Sequence, residues 1–91
     1  MEFINFKPEG GKLMKIHLKS NDSTIIDFKL RGDFFIHPEE SIDSLEKFFI
    51  GKTLKNNLQE DFDSFLSLNN IQIFGFKSSD LIGFINKLDQ A

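Results

Sequence analysis

"KLMKIHLKSNDSTIIDFKLR", residues 12–31, decides the fold. Apolar and charged side chains alternate through it on both sides of a polar break. Met14, Ile16 and Leu18 fall on one face, and Lys15, His17 and Lys19 on the other. After "SNDS" (20–23), Ile26, Phe28 and Leu30 line one face while Asp27, Lys29 and Arg31 line its opposite. A period of two with one apolar face predicts an antiparallel hairpin, one side in the core and one in water. Gly32 closes the second strand at a bulge or bend, and residues 34–36 suit a short third strand.

Downstream the period changes to that of helices. Pro38 suits a first helical position, and Glu39 and Glu40 suit the positive end of the helix dipole. Ile42, Leu45 and Phe48 or Phe49 then recur at helical spacing up to a stop at Gly51. A second helix is predicted from about Leu54 to Leu68, burying Leu58, Phe62, Phe65 and Leu66. "NNIQIFGF" (69–76) is a connection with some strand character. Ser78 caps a last helix striped by Leu81, Phe84, Ile85 and Leu88. Gly83 inside it costs about 1 kcal/mol against Ala, which points to close packing there. Upstream, residues 3–7 form a strand or an arm, and Pro8 with Gly10-Gly11 breaks the chain. Residues 1–91 therefore read as one α+β domain, with residues 1–8 an N-terminal arm or strand. An antiparallel sheet of two to three strands, hairpin first, carries about three helices on one face.

Composition bounds the function. At 40% hydrophobic and 27% charged the chain reads as a globular, cytoplasmic protein. A net charge of −3 offers no general case for nucleic acid, which calls for a basic stripe. No apolar run approaches the roughly 20 residues of a membrane span, and "MEFINFKPEGG" has no features of a signal peptide. Without cysteine there is no disulfide, thiolate nucleophile or Cys-based metal site. His17 and His37 lack ligand spacing, so no metal is expected. "PEGGKL" (8–13) could hold a phosphate, but a tight turn accounts for it better. The paired acids Glu39-Glu40 and Glu60-Asp61 sit at helix starts and read as solvated charge.

"GDFF" (32–35) raises a sharper question. Twelve Phe stand against no Tyr and no Trp, a surplus that a small core cannot hide equally well. Adjacent strand residues point to opposite faces, so Phe34 and Phe35 cannot both enter one side of a sheet. Either Asp33 caps a turn and both rings fill a split core, or one ring packs inward while the other, with Asp33, meets a partner. Continued from Leu30, strict alternation puts Phe34 inward and Phe35 outward, whereas a bulge at Gly32 would swap them.

Gly10, Gly11, Lys12, Leu13 and Lys15, then Gly32, Asp33, Phe34 and Phe35, then Pro38, Glu39 and Glu40, and finally Leu45, Glu46 and Gly51 form an ordered set. Together with the tail "FGFKSSDLIGFINKL" (74–88), they resemble the C-terminal accessory domain of lipoate–protein ligases over roughly residues 8–90. The resemblance implies a small subunit of a bipartite ligase, since the chain begins at Met1 and contains nothing of the large domain. In that family the large domain holds lipoate, ATP with Mg, and a catalytic lysine. The small part is needed to form lipoyl-AMP and less so for transfer to the acceptor lysine. The fold it implies is similar to that of the scaffold proteins of iron–sulfur assembly, whose cysteine chemistry is excluded here. On this reading no catalytic, cofactor-binding or metal residue lies in the chain. Its partners are the large catalytic subunit, in a heterodimer, and indirectly the lipoyl-acceptor domain. The expected interface is Gly32, Asp33, Phe34, Phe35, Pro38 and Glu39. The alternative is a free-standing adaptor or binding module of the same fold.

Overall fold

The computed structural model describes residues 2–54 and 57–90. Three antiparallel strands, β1 (Ile4–Phe6), β2 (Met14–Asn21) and β3 (Thr24–Gly32), pair in the order β1-β2-β3. A second sheet holds only β4 (Phe35–His37) and β5 (Gln72–Phe74), again antiparallel. The helices are α1 (Ser41–Phe49), α2 (Leu58–Leu68) and α3 (Ser78–Gln90). The fold is α+β, as the change of period predicts, and residues 4–6 resolve the choice between arm and strand in favour of a strand.

The hairpin turns on two residues, Asp22 and Ser23, both left-handed at φ 52° and 66°. Such a pair matches the twist of the flanking strands. Ser20 and Asn21, read from sequence as turn, instead end β2. Between Lys19 and Ser20 the register slips: Lys19 faces Asp27, but Ser20 faces Ile25. One extra residue on β3 reverses the alternation beyond it. Ile25 is consequently fully buried and Ile26 is 54% exposed, which corrects the expectation that Ile26 faces the core. Gly32 closes β3 at φ 147°, where an added Cβ would lie 2.3 Å from the Leu13 carbonyl oxygen. A side chain cannot fit there.

Helix boundaries differ from the sequence reading for local reasons. Ser41, Ile42 and Asp43 donate to the carbonyls of Pro38, Glu39 and Glu40, so a tight turn precedes α1 and the helix begins at Ser41 rather than Pro38. Gly51 ends it with φ 89°, as expected. The chain then runs back along the tip of the hairpin: Ile25 donates to Lys52, Gly51 donates to Ile25, and Leu54 donates to Ser23. Leu54 is buried in that return rather than in a helix, and α2 starts at Leu58; residues 55 and 56 lie outside the described ones. Ser78 does not cap α3. The Asp80 carboxylate accepts the Lys77 amide at 2.9 Å, while the Ser78 hydroxyl donates to Asp63 of α2 at 2.6 Å.

The core lies between the three-stranded sheet and the helices. Phe28 of β3 meets Phe49 of α1 at 4.4 Å between ring centroids, and Phe49 meets Phe62 of α2 at 5.1 Å. Phe48 bridges to Phe65 at 4.7 Å. At the other end Phe6 stacks on Phe84 of α3, 4.3 Å away. Glu46 joins α1 to β3: it is 6% exposed and accepts the Leu30 amide at 2.8 Å and Arg31 Nη1 at 2.7 Å.

Gly83 overturns one expectation. An added Cβ would meet nothing within 4 Å, so no close approach requires glycine. Gly83→Ala should raise stability by about 1 kcal/mol, since only the helix-propensity cost is removed; a denaturant melt measures it. Glu46→Ala should instead cost about 1–3 kcal/mol, because it strands a buried amide. Arg31→Ala should cost less than about 1 kcal/mol, its side chain being 56% exposed.

Candidate functional site

The GDFF segment bends the chain from one sheet into the other. The Asp33 amide donates to the Leu13 carbonyl at 3.0 Å, which anchors the bend on β2. The Asp33 side chain is exposed and makes no hydrogen bond or ion pair among the described residues. Phe34 turns inward, edge-on to Phe76 at 5.2 Å and 85°. Phe35 turns outward and is 74% exposed, while Ile36 beside it is buried. The rings therefore divide as the alternation predicts. Behind Phe34 the chain passes so closely that a Cβ on Gly75, whose φ is 118°, would lie 3.0 Å from the Phe34 Cβ.

The β4–β5 ribbon adds a residue that reading the GDFF segment alone missed. Phe35 pairs directly with Phe74, Ile36 with Ile73, and His37 with Gln72. Residues opposite each other on an antiparallel pair share a face. Phe74, 55% exposed, thus stands beside Phe35 on the outer face, while Ile36 and Ile73 pack on the core. The signal was present in "IQIF" (71–74), where alternation puts Phe74 on the side of Gln72 and away from Ile71 and Ile73.

Beside the ribbon, at the N-terminal end of α1, opens a groove of about 370 Å³. Leu30, Phe34, Ile36 and Ile42 supply its apolar lining, with Phe35, Arg31, Glu39 and Asp43 around them. Of the expected interface residues, Gly32, Phe34, Phe35 and Glu39 line this groove. Asp33 adjoins it in the chain, whereas Pro38 is half-buried in the turn before α1. An apolar floor with a charged rim is the layout of a protein-docking site.

The glycine turn and His17 are engaged in structure. In the "PEGGK" turn the Gly11 amide donates to Pro8 and the Lys12 amide to Gly75, so these donors face the protein rather than a phosphate. His17 is on the outer face of the sheet but buried, its Nδ1 donating to the Glu2 carbonyl at 2.9 Å and its Nε2 lying 3.1 Å from Asp27. Among the described residues no three His, Asp or Glu side chains are placed to hold a metal ion. Among the described residues no helix is long and apolar enough to cross a membrane.

No family model and no curated protein matches the chain. A solved structure does, with a TM-score of 0.77 and 26% identity over 93% of both chains. It comes from an archaeal lipoylation system, described as a bi-partite lipoate protein ligase and its E2 lipoyl domain from Thermoplasma acidophilum. The likeness is to the accessory part of that ligase. Because coverage is equal on both sides, the resemblance to the ligase part extends over whole domains and not over a shared fragment. Against it, the resemblance set divides by physical role. Gly32, Glu46 and Gly51 each answer a backbone or packing need of this chain. The Asp33 carboxylate and the Phe35 ring answer none among the described residues.

That division is measurable. Phe34→Ala should lower stability, by up to about the 3 kcal/mol typical of the lower end for a buried ring. Phe35→Ala should stay within about 0.5 kcal/mol of the parent, as exposed positions do. Equal losses in paired denaturant melts would make GDFF a packing motif only.

Proposed function

We propose that this chain is the accessory subunit of a bipartite lipoate–protein ligase, needed with the large catalytic subunit for ATP-dependent activation of lipoate to lipoyl-AMP. The observation that carries the proposal is the 0.77 TM-score to the ligase part over 93% of both chains. The exposed Phe35–Phe74 pair supports it, since aromatic anchors over an apolar groove suit a subunit that works in complex. ATP, Mg and lipoate are held by the large subunit, and the lipoyl-acceptor domain meets this chain only indirectly. The heterodimer works in the cytoplasm.

The chain's own contribution is positional. Gly32 and the Asp33 amide bend the chain so that the ribbon projects, and Phe35 and Phe74 seat in an apolar recess of the large subunit. Arg31, Glu39 and Asp43 form a charged rim that orients the contact. A docked domain of this size buries around 800 Å² on each partner. It can order a phosphate-facing loop of the large subunit and exclude water from the nucleotide. No residue of this chain need touch the reacting atoms.

Lipoate-dependent pyrophosphate release, assayed with the large subunit alone, this chain alone and the mixture, tests the proposal. Activity is expected in the mixture and not from this chain alone. Replacing both Phe35 and Phe74 by Ala should weaken the 1:1 complex by about 2 kcal/mol or more, roughly thirtyfold, without unfolding the chain. Absence of both a complex and a gain in adenylation would return the chain to a free-standing adaptor, and a tight complex with no gain would overturn the activation role.

A further inference from the structure

The outer face of the β2–β3 hairpin carries a charge pattern that the Phe35–Phe74 ribbon does not account for. Lys15, Lys19, Lys29 and Arg31 alternate with the core-facing residues and so start from that face, with His17 among them, although Arg31 turns its guanidinium round the strand edge to Glu46. They are four of the chain's 11 Lys and Arg, against two of its 14 Asp and Glu, Asp27 and, beside His17, Glu2. The pairing accentuates the imbalance. Lys15 stands opposite Arg31 and His17 opposite Lys29; of the three outward pairs, Lys19 with Asp27 is the one of opposite charge. Glu46 reaches Arg31 and Lys29 from α1, but Lys15 and Lys19 have no acid within ion-pair distance among the described residues.

Like charges placed directly opposite on paired strands are destabilising. Local rules are broken chiefly where a function compensates for them. The exposed acids Glu39, Glu40, Asp43, Glu60 and Asp61 cluster at helix starts instead. A chain with net charge −3 therefore presents one cationic surface.

We propose that this face docks a carboxylate-rich protein surface. Charge complementarity selects that partner. A polynucleotide site draws its affinity from cations that neutralise successive phosphates, and this face offers few of them on a chain of net charge −3. A membrane-surface site sets cations beside an inserting apolar stripe, whereas a single apolar residue, Ile26 at the bulge, stands among the outward positions of the two strands. The inference stands independently of the ligase reading, because it concerns a different surface, meeting the Phe35 groove at Arg31.

The test is a titration of the ¹⁵N-labelled chain with poly-L-glutamate at low salt. Amide shifts are expected to concentrate on β2 and β3, with affinity falling as salt rises. The Lys15→Glu/Lys19→Glu chain should bind at least about tenfold more weakly, since like charges would then face the acidic probe. Lys47→Glu/Lys87→Glu, which reverses exposed cations on α1 and α3, should bind within about twofold of the parent if the contact is local to the hairpin. Lys15→Glu alone should melt no lower than the parent, because it replaces a repulsive cross-strand pair. The proposal fails if binding is absent, if shifts fall outside the hairpin, or if the helix variant loses as much affinity. It fails also if Lys15→Glu destabilises the chain, which would make the cations structural. Tighter binding to a DNA duplex or to phosphatidylserine vesicles than to poly-L-glutamate would mean that the face reads phosphate instead.

Discussion

A single carboxylate sets how the helices meet the sheet. An uncovered strand edge is a row of unpaired amides and carbonyls, and β3 would be such an edge beyond its pairing with β2. Glu46 closes it from α1, accepting Leu30 N–H and drawing Arg31 around the edge, where the same Nη1 donates to the Leu30 carbonyl at 2.7 Å. A buried carboxylate is tolerable only when its oxygens are occupied. This constraint fixes α1 lengthwise as well as sideways. With Glu46 held, Leu45 and Phe49 must fall on the sheet, and Phe49 must find Phe28. Phe62 and Phe65 then complete an aromatic layer that neither helix could form alone.

The same economy explains what is left outside. Phe28, Phe49 and Phe62 are wholly enclosed, and further rings fill the margins of the core. The bulge at Lys19/Ser20 brings Ile25 inward where the return strand from α1 can bond to its backbone. Phe35 and Phe74 stay on the water side of a ribbon whose other side is already packed.

Most of the architecture was legible in the chain. The alternation of 14–31 and the stripe of 81–88 identify strands and helix directly, because each has a clear period. The division between Phe34 and Phe35 was legible for the same reason. What escaped reading depended on groups distant in sequence. Ile26 looks as apolar as Ile25, and only the paired strand shows which is the extra residue. Ser78 has the chemistry of a cap, but α2 brings Asp63 within its reach. Gly83 resembles a packing glycine until its surroundings are seen to be open. Glu46 reads as one more surface acid, since burial of a charge is invisible without its partners. Phe74 required knowing that residues 72–74 return to pair with residues 35–37.

That return has a consequence for the order in which the molecule opens. The β2–β3 hairpin closes through a two-residue turn, but β4 and β5 are three-residue strands that meet only after α1 and α2 have been laid between them. The β4–β5 ribbon, held by three residue pairs against eight in the hairpin, is expected to have the lower opening free energy, with its amides exchanging with solvent first. Any partner that binds only the closed ribbon adds its binding energy to that small gap. Occupancy of this surface would then be written into the exchange lifetimes of Ile36 and Ile73, well before it altered the unfolding of the domain.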